Sequence, residues 1–141
     1  MEIRELDTDA DILRVFPLMK DLRERIAVQT FLGEVRLQQA QGYRLFAGFD
    51  GGAPVVLAGI RRAHTLSRGL HLFVDDLVSA APVRGAGHGR EMMRWLARLA
   101  ASEGIPRIYL DARLTARGFY GKLGFTFLTS IPCWIEVERL A

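Results

Sequence analysis

The sequence predicts an α/β fold in which a mixed, mostly antiparallel central sheet is flanked by helices. Three observations carry that expectation. Three strand-like apolar runs follow one another across tight turns between residues 43 and 79, which is the pattern of antiparallel hairpins. A glycine-rich loop and an amphipathic helical stretch then occupy residues 82 to 104 and lead to the apolar run Arg107-Ile108-Tyr109-Leu110-Asp111, an order of strand, loop, helix and parallel strand. Finally, the 141 residues, 50% apolar and 25% charged, suit a single domain over residues 1 to 141 with one hydrophobic core.

Residues 1 to 6 read as a short strand, after which Asp7-Thr8-Asp9 supplies N-cap chemistry for a helix carrying Ile12, Val15, Phe16, Leu18 and Met19. From Leu22 through Ile26, Phe31, Val35 and Leu37 to about Gln41 the spacing is again helical. Gly33 interrupts it, so one or two helices are expected there. Tyr43 to Phe49 is a strand by its alternation, Asp50-Gly51-Gly52 a hairpin turn, and Pro54 to Thr65 the returning strand. The turn Ser67-Arg68-Gly69 leads into a third strand, Gly69 to Ser79. In the following helix Met92, Met93, Leu96, Leu99 and Ala100 share one face and Arg90, Arg94 and Arg98 face solvent. Gly104 ends that helix and Pro106 prevents its continuation. A short helix near Thr115 to Leu123 and strands near Phe125 to Thr129 and Cys133 to Val137 are expected to complete the sheet.

Composition narrows the function classes. No run approaches the roughly 20 continuous apolar residues of a membrane helix, and the start, Met1-Glu2-Ile3-Arg4-Glu5, is charged and strand-like, unlike a signal peptide. A soluble, cytoplasmic protein with no membrane partner is expected. The single cysteine, Cys133, lies beside Pro132 and Trp134 and is expected to be a small buried hydrophobe, as Trp95 and Trp134 are expected to be packing residues. His64, His71 and His88 lack the spacing of a zinc site, and no metal is expected. The net charge of +3 comes from scattered arginines, with no basic stripe interleaved with aromatics, so no nucleic-acid partner is expected. A basic surface suits a polyphosphate ligand.

The loop Pro82-Val83-Arg84-Gly85-Ala86-Gly87-His88-Gly89 stands between a strong strand and a strong helix. The first N–H groups of a helix lack intrahelical partners and the helix dipole adds positive potential there, which makes an anion site. Glycines at 85, 87 and 89 let the backbone approach a pyrophosphate closely, whereas an ordinary flexible turn would not require all three. A dinucleotide loop would need glycine or alanine where Arg90 stands, and a nucleoside-triphosphate loop fails because no Gly-Lys-Ser/Thr follows.

Two motifs then coincide. Arg84-Gly85-Ala86-Gly87-His88-Gly89 has the pattern Arg/Gln-x-x-Gly-x-Gly/Ala, and Ala116-Arg117-Gly118-Phe119-Tyr120-Gly121-Lys122-Leu123-Gly124-Phe125 follows it at a distance of one helix and one strand. Together they resemble the GCN5-related N-acetyltransferase (GNAT) family over residues 77 to 125, and the order of elements resembles its fold across nearly the whole chain. The resemblance implies that residues 84 to 89 (Arg84, Gly85, Ala86, Gly87, His88, Gly89) cradle the pyrophosphate of acetyl-coenzyme A (acetyl-CoA). It further implies that Leu77, Val78 and Ser79 pair with the pantetheine arm like an added strand, and that this strand diverges from residues 108 to 111 to open a cleft. Arg90 and Lys122 could assist the phosphates. The chain departs from the family pattern at Ser79, where an apolar residue is common, at Pro82, which stands one place later than usual, and at Arg113, where asparagine is common.

Acyl transfer to an amine requires a neutral nucleophile, a stabilised oxyanion and a proton for the departing thiolate. Tyr120 matches the tyrosine that in many family members donates to the coenzyme A sulfur, although helical spacing alone would equally make it a core residue. Asp75 and Asp76 interrupt the apolar run from Leu70 to Val78, so at least one should face a cleft or an ion pair. Strict alternation groups Asp75 with Phe73 and Leu77, and Asp76 with Val74 and Val78. Either could bind a cationic amine or take its proton through water, and either could instead pair with an arginine. Arg61, Arg62, His64 and Arg68 read as a solvated face, with contact to an acidic part of the substrate as the alternative. The resemblance implies an acetyltransferase acting on a primary amine of a small molecule or peptide, and it admits a homodimer. An acyl-CoA binding or sensing module without turnover is the alternative.

Overall fold

A computed structural model describes all residues from Met1 to Ala141. The chain divides into two compact units, residues 1 to 110 and 111 to 141. No helix is long and apolar enough to cross a membrane.

The first unit is built on a five-stranded sheet in the order β1 (Glu2–Glu5), β2 (Tyr43–Asp50), β3 (Ala53–Thr65), β4 (Gly69–Ser79), β5 (Ile108–Leu110). The first three pairings are antiparallel and β4 with β5 is parallel, so the mixed, mostly antiparallel sheet expected from sequence is present. Helices α1 (Asp9–Arg14), α2 (Phe16–Leu22) and α3 (Val28–Gln39) lie between β1 and β2, and α4 (His88–Ser102) lies between β4 and β5.

Local chemistry sets the boundaries. Thr8 caps α1 by accepting from the Asp11 N–H at 3.2 Å, an interaction whose loss typically costs about 0.5–2 kcal/mol. The helix ends at Val15 and restarts as α2 with Pro17 in its first turn, where a missing N–H does no harm. Gly33 does not divide the second helical stretch. It sits inside α3, and the break falls at residues 23 to 27, between α2 and α3. After α4, Gly104 takes φ 72° and the Ile105 N–H donates to the Ala100 carbonyl at 2.8 Å, which closes the helix end.

The pleat divides the core. On one face Tyr43, Leu45, Ala47, Leu57 and Val78 pack with Leu6, Ile12, Val15, Leu18, Met19, Phe31 and Val35, joining α1, α2 and α3 to the sheet. On the other face Phe46, Ile60 and Leu72 are buried with Met92 and Leu96 of α4, and Phe46 meets Trp95 at a ring separation of 5.0 Å. Each large apolar side chain so buried contributes roughly 1.5–3 kcal/mol.

The second unit begins with a short 3₁₀ turn, Leu114–Ala116, followed by α5 (Arg117–Lys122) and, near its end, a second 3₁₀ turn, Val137–Arg139. The short helix expected near residues 115 to 123 is present. The strands expected at Phe125 to Thr129 and Cys133 to Val137 do not form: these segments carry no ladder. Cys133 is exposed and Trp134 is 84% exposed, which overturns their expected burial. Strand propensity reports a fit to a half-buried pleated surface, and without a pairing neighbour that surface is missing.

Candidate active site

The site residues of the first unit depend on an irregularity in β4. Gly59 pairs with Asp76 while Ile60 pairs with Val74, so Asp75 is the extra residue of a β-bulge. The phase of the strand changes there. Phe73 opposite Arg61, Asp76 opposite Gly59 and Val78 opposite Leu57 all fall on the face covered by α1 to α3, and Val74 and Leu77 fall on the other. The grouping expected from strict alternation is therefore corrected: Asp76 shares a face with Phe73 and Val78, not with Val74, and Asp75 is not in phase with Leu77.

Both aspartates have cationic partners. Asp75 accepts from Arg61 Nε at 2.6 Å and Nη2 at 2.9 Å, a two-pronged pair that raises the Arg61 pKa above its ordinary value, chiefly through the hydrogen bond. Asp76 accepts from Arg23 Nε at 2.9 Å and from the Tyr43 hydroxyl at 2.7 Å. Arg23 Nη2 also donates to the Asp75 main-chain carbonyl at 2.6 Å. The Tyr43 pKa is driven far upward, first by burial and then by the Asp76 carboxylate, so this phenol is a permanent donor. Its ring crosses Gly59 so closely that a Cβ there would lie 1.9 Å from the hydroxyl oxygen; only glycine lets the phenol reach Asp76. Sequence reasoning missed Tyr43, Gly59 and Arg23, because the tyrosine and glycine lie within ordinary strand patterns and the arginine among other charged residues. It expected an arginine partner for the aspartates without identifying Arg61, which it read as part of a solvated face or as a contact to an acidic part of the substrate.

From the bulge onward, β4 has no parallel partner. The ladder with β5 consists of Leu72 to Ile108, Phe73 to Tyr109 and Val74 to Leu110, whereas the ladder with β3 continues to Ser79. The Ala80 N–H donates to Val55 on β3 at 2.8 Å. Counting back by alternation, the amides of Leu77 and Ser79 point away from β3 toward the unpaired edge, while the Val78 side chain is buried. Pairing stops where β5 itself ends, at Leu110.

The open edge runs into the glycine loop. Arg84 Nε donates to the Ser79 carbonyl at 3.3 Å. Gly85 and Gly87 take φ 88° and 89°, a left-handed backbone that other residues adopt at a cost of roughly 1–2 kcal/mol. A Cβ at either would meet nothing within 4 Å, so the space above the loop is open. Gly87 is the N-cap of α4 and offers no side chain to its amides, which leaves the first-turn N–H groups, those of His88, Gly89 and Arg90, without intrahelical acceptors. His88 is half-buried, and Arg84, Ala86 and Arg90 are exposed. An unpaired strand edge, with Arg84 on its Ser79 carbonyl, and a helix N-terminus reached through two left-handed glycines offer main-chain N–H donors that could hold an anionic ligand.

Tyr120 and Lys122 stand on α5 in the second unit. Tyr120 is 8% exposed between the rings of Phe119 and Phe125, at 5.0 and 5.3 Å. Burial raises its pKa, so it keeps its proton at neutral pH. Lys122 is exposed.

Residues 10 to 125 match the model of the acetyltransferase (GNAT) family. A curated relative from Bacillus subtilis (strain 168), the uncharacterized N-acetyltransferase YhdJ, is 28% identical over 131 residues, with 89% of this chain and 92% of that protein covered. Among solved structures, the aminoglycoside N-acetyltransferase AAC(6')-Iy in complex with CoA superposes with a TM-score of 0.82 at 15% identity, over 96% of this chain and 94% of that one. A predicted acetyltransferase with acetyl-CoA from Clostridium acetobutylicum gives 0.72 at 18% identity, over 99% and 96%. These likenesses to solved structures establish the fold, and the match over residues 10 to 125 establishes the lineage: the chain belongs to the acetyltransferase (GNAT) family.

Proposed function

We propose that the protein is one acetyltransferase domain that transfers an acetyl group from acetyl-CoA to a primary amine of a small molecule or peptide, by direct attack in a ternary complex. The observation that carries this reading is the continuity of the open β4 edge with the glycine loop at the start of α4, through the contact of Arg84 with the Ser79 carbonyl. The amides of Leu77 and Ser79 suit the pantetheine arm in the manner of an added strand. The backbone of residues 84 to 89 suits the pyrophosphate, with Arg84, Arg90 and Lys122 supplying charge. When bound, acetyl-CoA supplies an acyl thioester that is reactive toward amines.

An amine with an ordinary pKa near ~10 must shed a proton before it can attack. A carboxylate beside it opposes that loss, so Asp75 and Asp76 serve acceptor binding ahead of base catalysis. Tyr120 is the candidate acid, since a phenol kept neutral by burial can donate to a departing thiolate.

A non-catalytic acyl-CoA binding or sensing module is the second reading. It is favoured by the arginine partners that Asp75 and Asp76 already have. An assay of thiol release from acetyl-CoA across a panel of primary amines separates the two. Release that depends on an amine supports the transferase, saturable binding with no transfer to any amine supports the module, and absence of acetyl-CoA binding contradicts both.

A further inference from the structure

Asp76 has two oxygens and both are occupied, but by partners of different permanence. Tyr43 is buried and wedged over Gly59, so its bond to Oδ2 belongs to the folded core. Asp75 is held by two bonds from Arg61. Arg23, on Oδ1, is different. Its side chain is 44% exposed against 12% for Asp76, and it sits just past α2, at the head of the non-helical stretch 23 to 27. It is the one partner of Asp76 that can swing into solvent without disturbing the core. The two acceptors it would vacate, Asp76 Oδ1 and the Asp75 carbonyl, lie immediately beyond Val74, where β5 stops pairing with β4.

We infer that Arg23 is an internal stand-in for the cation of the acceptor and sets the specificity of this position. An acceptor's ammonium displaces Arg23 and donates to Asp76 Oδ1 and the Asp75 carbonyl, for which its three N–H donors suffice. An ammonium held there is kept protonated by the carboxylate and cannot itself attack, so the nucleophile is a second amine of the same molecule. The acceptor class is therefore a molecule with two or more amines, of which an aliphatic diamine is the simplest. As a statement about the acceptor this rests on the acetyl-transfer reading, but its binding step needs no acetyl-CoA.

The test is calorimetric titration of the full chain with 1,4-diaminobutane, without acetyl-CoA, for the wild type and for Arg23→Gln, Asp76→Asn and Arg25→Gln. Arg25 is an exposed neighbour that controls for the loss of one positive charge. Removing a competing, half-exposed ion pair should tighten binding roughly two- to fivefold in Arg23→Gln, with binding lost in Asp76→Asn and unchanged in Arg25→Gln. The inference is overturned if Arg23→Gln binds no more tightly than the wild type or Arg25→Gln, if Asp76→Asn binds as the wild type does, or if neither the wild type nor Arg23→Gln binds. A failure of the acetyl-transfer reading would show separately, in a parallel titration with acetyl-CoA.

Discussion

At the scale of single residues, Gly59, Tyr43 and Asp76 form a chain of dependence. The glycine admits the phenol and the phenol fixes the carboxylate. Gly59→Ala should destabilise the protein by about 1–3 kcal/mol, as overpacking of a filled site does, which urea denaturation would measure. Tyr43→Phe removes a hydrogen bond to a charged acceptor and should cost about 1.5–3 kcal/mol. The same substitution should change the alkaline limb of the stability profile. Because the folded pKa of Tyr43 lies above the ordinary phenol value, the unfolded chain ionises first. The stabilisation is thus fully present below about pH 10 and is lost as pH rises beyond it. Removing the phenol should flatten that loss, and the part that persists would come from Tyr120, whose pKa is also raised. If Tyr120 is the acid, Tyr120→Phe should lower kcat by roughly 10²- to 10⁴-fold with acetyl-CoA affinity retained; an unchanged kcat in steady-state assays would remove it from the chemistry.

At the scale of elements, α3 carries a correctable weakness. Gly33 is helical, and an added Cβ would meet nothing within 4 Å. Gly33→Ala should therefore stabilise the protein by about 0.5–1 kcal/mol, again by urea denaturation. The same glycine shows what a sequence conceals: it weakens the helical pattern, yet α3 persists because Phe31 and Val35 are buried against the sheet. The hairpins of β2, β3 and β4 were legible because turn residues and alternation coincide, and α4 because its apolar face and Gly104 stop agree. The bulge at Asp75 was not legible, since it exists in the register of two strands and one extra residue inverts the faces that follow. Nor was the exposure of Ile131, Trp134 and Val137, at 81 to 84%, because apolar composition indicates a capacity for burial and cannot supply the surface that would cover it. The glycine loop ahead of α4 was legible as well, because the left-handed backbone at Gly85 and Gly87 is a conformation that glycine announces directly.

At the scale of the molecule, the first unit holds the open strand edge, the glycine loop and the paired aspartates in one sheet assembly, and the second holds Tyr120. A ligand that binds only the folded state stabilises it by about 2.7 kcal/mol at a concentration one hundred times its Kd, so acetyl-CoA should raise the Tm of the full chain by several degrees. The most direct test of the central claim is calorimetric titration with acetyl-CoA, run beside a Gly87→Val variant whose folding is confirmed by circular dichroism. The account predicts saturable binding by the wild type and its loss in the folded variant, whose β-branched side chain cannot adopt the backbone that Gly87 holds at φ 89°. No binding by the wild type, or equal binding by both, would contradict it.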